Sequence, residues 1–270
     1  MSCLPEIASP TRKPYPSDLS DAEWEVLQKL IPKPKGFGHP VEVDFREILN
    51  GIFYVQRTGC QWEMLPHDLP PYSTVYRYFQ TWQRQGVWQQ LHDQMREKLR
   101  AKLGKDKDSS VAIADSQSVK TTEKRGVYGF DGGKKVKGRK RHVVVDSQGF
   151  LIGVLVTEAN ASERLGAMVV LDEAKEKLGK LEVVWVDQGY SGKNFASAVK
   201  QVCGEGVRVE VIKRTSETFE PLPKRWIVER TFGWLNRFRR LSKDYEVYSE
   251  VSEAMIYGTL MRLMLRRLVA

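Results

Sequence analysis

VAIAD, residues 111–115, is a run of four apolar residues closed by an aspartate, and LEVVWVD, residues 181–187, ends the same way. Short apolar runs of this kind, bounded by polar segments, read as buried strands. An α/β sheet presents its reactive side chains at the carboxyl ends of its strands, where Asp115 and Asp187 stand. An aspartate also commonly begins the turn after a strand, so neither residue identifies a site alone. If the two strands are parallel neighbours, both carboxylates emerge at one edge of the sheet.

Outward from these strands the pattern stays α/β. GRKRHVVVDSQGFLIGVLVTE (138–158) reads as two strands joined at Ser147-Gln148-Gly149. Helices are expected over 162–178 and 191–203, a strand over 207–213 and helices over 224–241 and 250–268. The order is strand, strand, strand, helix, strand, helix, strand, helix. Upstream the chain is helical. SDAEWEVLQKLI (20–31) has Ser20 as N-cap and Glu23 three residues on, a capping box. Further helices are expected over 43–57, 73–85 and 87–103. The third has Val75, Tyr78, Phe79 and Trp82 on its apolar side, with Thr74, Arg77, Gln80 and Arg84 opposite, as candidate DNA contacts of a helix-turn-helix-like module. The polar LGKDKDSS (103–110) reads as a linker. The expected organisation is a mobile arm over 1–17, a helical DNA-binding domain over 18–105 and a catalytic domain over 106–270.

A third acid joins the two aspartates. On the helix 224–241, Ile227, Val228, Trp234, Leu235, Phe238 and Leu241 mark the buried stripe, and Glu229 lies off it beside Arg225, Gly233, Asn236 and Arg240. Three converging carboxylates repel one another unless a hard divalent cation relieves them, and Mg²⁺ takes oxygen ligands. Two such ions can activate a nucleophile and stabilise the leaving oxygen of a phosphodiester. Asp115, Asp187 and Glu229 are therefore the candidate catalytic and metal residues, with two Mg²⁺ as the expected cofactor and Mn²⁺ as a substitute. The plain alternative for Glu229 is a solvent-facing acid among arginines.

The net charge is +9, and a basic chain often meets a polyanion. From Lys120 to Arg141 there are nine lysines and arginines against two acids. Five glycines, Gly126, Gly129, Gly132, Gly133 and Gly138, add flexibility. This segment is expected to be a mobile loop that grips phosphates through Lys134, Lys135, Lys137, Arg139 and Lys140. Cys3, Cys60 and Cys203 are odd in number and scattered, without a CxxC pair, so they suggest neither a zinc site nor a disulfide framework, and a cytoplasmic protein is expected. No apolar run reaches the roughly 20 residues that span a bilayer, so no membrane is expected.

The strings IADSQSVK, GFDGGKKVKGRKRHVVVD, VDQGYSG and RWIVERTFGWLNRFRRLSKDYE, in this order, closely resemble the DDE transposases of the insertion-sequence-five family. The upstream LSDAEWEVLQKLIP, GCQWEMLP and YSTVYRYFQTW resemble that family's N-terminal domain. The resemblance implies an RNase H-like catalytic domain with a mixed five-stranded sheet, and it places the acids at Asp115, Asp187 and Glu229. It also implies double-stranded DNA as substrate, both element ends and target, and a homodimer on paired ends. Related transposases carry a Tyr-Arg-Glu-Lys pattern around the glutamate. Arg225 matches its arginine, whereas Leu222 and Asn236 stand at the tyrosine and lysine positions. Arg237 or Arg240 is then the candidate for holding DNA near the cut. Two other readings compete: an RNase H-like nuclease or resolvase without strand transfer, and a domesticated DNA-binding protein, which would be expected to have lost acids.

Overall fold

β3 (Val136–Asp146) is the strand on which the sheet is organised in this computed structural model, which describes residues 4–32, 43–122, 126–212 and 223–270. Cys3, Glu123 and Leu222 lie outside the described residues. One edge of β3 pairs antiparallel with β1 (Val111–Lys120). The other pairs antiparallel with β4 (Leu151–Glu158) and, through its first residues, with the short β2 (Gly129–Asp131). β1 continues in parallel to β5 (Val183–Val186), and β5 in parallel to β6 (Arg208–Val211). The path β4-β3-β1-β5-β6 is the mixed RNase H-like sheet, and β2 adds a sixth strand beyond the expected five.

Side chains alternate along each strand, so successive residues serve different cores. Ala112, Ala114, Val144, Ile152, Val184 and Val186 pack beneath α5 (Glu163–Glu173) and α6 (Lys193–Cys203), against Ala167, Val170, Leu171, Phe195 and Val199. Ile113, Val143, Val145, Val154 and Val156 face the other way, towards α7 (Pro223–Asn236) and α8 (Ser249–Val269). That second core runs without interruption into the N-terminal helices α1 (Asp21–Leu27), α2 (Phe45–Thr58), α3 (Tyr72–Arg84) and α4 (Val87–Lys102). α8 lies against both α4 and β4 and is the element that joins them. The capping box at Ser20 and Glu23 is present.

Three expectations change. Residues 129–141 are not a loop: they lie in the β2–β3 hairpin, which takes up 129–146, and β1 runs to Lys120. The hairpin's polar groups find internal partners, as where Ser118 Oγ donates to Asp131 at 2.6 Å. A Cβ on Gly138 would stand 2.0 Å from the Val119 carbonyl oxygen, so that glycine allows strand contact rather than mobility. Residues 4–17 are not a free arm. Arg12 pairs with Asp18 at 2.8 Å and Glu47 at 2.9 Å, and the Tyr15 hydroxyl donates to Asp68 at 2.9 Å. Finally, α7 stops at Asn236 rather than 241. Phe238 is extended (φ −103°, ψ 114°) before a 3-10 turn at Arg239–Leu241, and Arg57 Nη1 donates to the Arg237 carbonyl at 2.9 Å.

Candidate active site

The parallel pairing of β1 with β5 sets Val111 opposite Val183, Ala112 opposite Val184 and Ile113 opposite Trp185. Continued by two residues, that register brings Asp115 level with Asp187, on the face that Ile113 and Trp185 occupy. VAIAD is only the first half of its strand, so Asp115 stands mid-strand, just past the last parallel pair, where β1 stays bonded to β3 alone. Asp187 lies directly after β5. Its Oδ1 accepts the Gly189 N–H at 2.8 Å and caps the 3-10 turn Gln188–Tyr190. Asp115 Oδ1 accepts its neighbour Ser116 N–H at 2.7 Å.

α7 crosses this edge, packing against β1 and β5. It closes a small pocket lined by Ile113, Asp115, Trp185, Asp187, Arg225 and Val228. Arg225 stands between the acids. Its Nη2 is 3.6 Å from Asp187 Oδ2 and its Nε is 3.8 Å from Glu229 Oε1, one helical turn along. Glu229 itself remains 54% exposed. Burial raises the Asp115 carboxyl to about 6, with the Asp187 charge adding to it, against the opposing Ser116 N–H, Arg225 and Lys134.

The donor chemistry fits a hard divalent cation: carboxylate oxygens of Asp115 and Asp187 at one sheet edge, with Glu229 on the helix that crosses it. As they stand, no three acidic, imidazole or thiol side chains among the described residues come close enough to hold a metal. The guanidinium of Arg225 supplies positive charge between Asp187 and Glu229 instead.

A second polar cluster adjoins Asp115, and the sequence reading passed over it. Ser116 Oγ donates to Glu163 Oε1 at 2.7 Å. Lys134 Nζ donates to the same oxygen at 2.9 Å and to the Ser116 carbonyl at 3.0 Å. The buried Tyr190 hydroxyl is pushed well up by its burial and by Asp115, Glu163 and Asp187. The available signal was Ser162-Glu163, an N-cap and first-turn acid directly after a strand.

The candidate DNA contacts divide. On α3, Arg77 and Arg84 are exposed, and Thr74 and Gln80 are half-buried on the same helix. Lys135 and Lys137 are exposed, Lys137 over the Tyr128 ring at 5.3 Å. Arg237 is exposed. Arg139, Lys140 and Arg240 are corrections, because all three are buried and internally paired. Arg139 Nη1 meets Asp244 at 3.2 Å and the Glu246 carbonyl at 2.9 Å. Lys140 Nζ lies 3.3 Å from Asp131 and donates to the Ala161 carbonyl at 3.0 Å. Arg240 Nε donates to Glu246 at 2.7 Å. The break after Asn236 removes Arg240 from the face that carries Glu229.

An RNase H-like sheet with two aspartates level at one edge and a glutamate on the helix crossing it defines the class of the DDE nucleotidyl-transfer fold. The family described as "Transposase DDE domain" matches residues 106–264, more than half of the chain, and the chain belongs to it. "Putative transposase of IS4/5 family" matches residues 19–92. Among curated relatives, "Putative transposase for insertion sequence element IS402" from Burkholderia cepacia is 29% identical over 127 residues, 44% of this chain and 59% of the relative. "Insertion element IS402 uncharacterized 16.2 kDa protein" from the same organism is 35% identical over 108 residues, 38% of this chain and 72% of that protein. The match thus spans under two thirds of the first relative. DDE transposase domains use divalent metal ions. Among the described residues no helix is long and apolar enough to cross a membrane.

Proposed function

We propose that the protein binds the terminal inverted repeats of an insertion sequence, cuts phosphodiester bonds there and joins the freed 3′-hydroxyl ends to target DNA. The observation that carries this reading is the register of β1 and β5, which sets Asp115 beside Asp187 under the helix bearing Glu229. Asp115, Asp187 and Glu229 would hold two Mg²⁺, or Mn²⁺ in their place, once Arg225 releases Asp187 and Glu229. Bound there, the metals supply a water of lowered pKa and charge stabilisation at the phosphorus.

In the first step water attacks the phosphorus and the bond to the 3′-oxygen breaks, leaving a 3′-hydroxyl and a 5′-phosphate. In the second that 3′-hydroxyl attacks a target phosphorus, and the target's own 3′-oxygen leaves. In this joining step one phosphodiester is made for the one broken, and the preceding hydrolysis runs downhill, so no energy source is required. The protein supplies no covalent nucleophile. Arg77, Arg84, Thr74 and Gln80 on α3 are proposed to contact the repeat, with Lys134, Lys135 and Lys137 on the β2–β3 hairpin and Arg225 and Arg237 on phosphates. Joining two ends in one event implies two copies, one per end.

The test is incubation with labelled DNA carrying the element ends and Mg²⁺, followed by mapping of cuts and joints. Wild-type protein is expected to give ends with a 3′-hydroxyl and joined products. Asp115→Asn, Asp187→Asn and Glu229→Gln should each bind the ends yet cut at least ~1,000-fold more slowly, a loss of about 4 kcal/mol in barrier lowering. Cleavage without joining would reassign the protein to the nucleases. Undiminished cleavage by any variant would remove that residue from the site.

A further inference from the structure

Beyond the end of α7, away from the carboxylates, Arg57, Arg237, Arg262, Arg266 and Arg267 line one cavity of about 330 Å³. A single carboxylate, Glu23, serves two of the five, pairing with Arg262 and lying 3.8 Å from Arg266. Among the described residues, no carboxylate pairs with Arg57, Arg237 or Arg267. Two of these three are nevertheless held in place. Arg57 donates to the Arg237 carbonyl at 2.9 Å and lies 5.6 Å from the centre of the Phe238 ring. The Arg267 guanidinium lies 4.2 Å from the centre of the Trp234 ring. Burial, with Arg230 and Arg237 adding like charge, pushes Arg267 below its ordinary pKa.

Arginine stays charged in proteins, so these groups cannot escape mutual repulsion by losing protons. Collecting them in a partly desolvated cavity costs free energy unless an anion completes the site. Guanidinium forks match the oxygens of a phosphate, which accept several N–H donors at once. We propose that this cavity is a phosphate-binding site, separate from the carboxylates, and that it takes a backbone phosphate of the DNA flanking the cut. The DNA source of that phosphate rests on the proposed function. Arg237 follows Glu229 by eight residues. α7 runs for seven of those residues, to Asn236, about 10 Å of helix, roughly three base-pair steps of duplex. Between the two sites Arg230 lies 4.8 Å from the Trp226 ring centre and 4.9 Å from that of Trp234, which continues the basic and aromatic stripe.

The experiment compares wild-type protein with the double variant Arg237→Ala, Arg267→Ala. Melting is followed with and without inorganic phosphate, and binding of a long random-sequence duplex across a salt series. Phosphate should raise the melting temperature of the wild type and not of the variant. The slope of log K against log salt should be shallower in the variant by about one, at about 0.9 per phosphate lost. Loss of the phosphate response with an unchanged DNA slope would keep the site and overturn its DNA source. A shallower slope without a phosphate response in the wild type would overturn the cavity as a phosphate site and leave Arg237 as a surface contact to DNA. Equal behaviour of both proteins in both measurements would overturn the proposal. Should the double variant fail to fold, Arg237→Gln replaces it, since that side chain is exposed. Neither readout involves cleavage, so an inactive carboxylate site would leave this result standing, and the reverse also holds.

Discussion

Glu253 hangs from α8 with its Oε1 accepting the Val156 N–H at 2.8 Å, tying helix to strand. Burial raises its carboxyl to about 7, with Glu173 and Glu250 adding like charge and the Val156 N–H opposing them. An unfolded glutamate titrates near ~4.3. Because the folded value is the higher one, the protonated group favours the fold. That stabilisation is fully present below the unfolded pKa and is lost as pH rises through about 7. Across this window the protein should lose up to roughly 4 kcal/mol from this one group. Asp115, raised to about 6, acts in the same direction, so the informative comparison is wild type against Glu253→Gln. Urea unfolding at a series of pH values should give a flatter profile for the variant, and identical profiles would clear Glu253 of the effect. Arg225 supports a second prediction at this scale. Its guanidinium neutralises Asp187 and Glu229 where a divalent ion would otherwise do so. Arg225→Ala should therefore melt lower without metal and gain more from added Mg²⁺ than the wild type does. A smaller gain would mean that Arg225 positions Glu229 for the metal instead of competing with it.

Elements depend on polar groups that come from far along the chain. Arg100 near the end of α4 pairs with Asp146, a buried residue at the β3–β4 turn. The other Asp146 oxygen accepts the N–H groups of Gln148 at 2.8 Å and Phe150 at 2.9 Å. Arg100→Ala would leave a buried carboxylate without its partner, a change that costs about 3–5 kcal/mol. Denaturant unfolding should register this, and a loss under about 1 kcal/mol would indicate that water replaces the guanidinium. The same long reach explains what could be read from the sequence. Asp115 and Asp187 were legible because each closes an apolar run, and apolar runs report strands locally. Glu229 was legible because helical period sets it off the buried stripe. Arg139 was misread because its partners, Asp244 and the Glu246 carbonyl, lie about a hundred residues downstream, where no local pattern reveals them. The end of α7 was misread for a related reason: no proline or glycine marks it, and the break is fastened by Arg57 from α2. Pairing between strands is just as silent, so β2 was hidden inside a glycine-rich, basic stretch.

At the scale of the whole molecule the helical region and the sheet share one core. Leu27, Phe53, Trp88 and Leu91 from the N-terminal helices meet Met255, Leu260 and Leu265 of α8 in the cluster that also holds Ile113, Val143 and Val154 of the sheet. Polar contacts cross the same seam. Arg262 of α8 pairs with Glu23 of α1 and donates to the Asp18 carbonyl at 2.8 Å, and Lys102 Nζ donates to the Leu268 carbonyl at 2.9 Å. A fragment ending at residue 105 would expose the apolar side that α4 turns to α8 and would lack the guanidinium of Arg262 that pairs with Glu23. We therefore expect the full chain to unfold in a single cooperative transition, coincident by circular dichroism and tryptophan fluorescence. The fragment 1–105 should show no cooperative melt. A sharp melt of that fragment, or two separated transitions in the whole chain, would mean that the helical region and the catalytic region fold independently. The consequence reaches the proposed function. With one core, the exposed side of α3 keeps a fixed relation to Asp115 and Asp187. DNA held by Arg77 and Arg84 would then be presented to the carboxylates by the rigidity of the fold, and core substitutions along α8, such as Leu260→Ala, should lower cutting even where DNA affinity is kept.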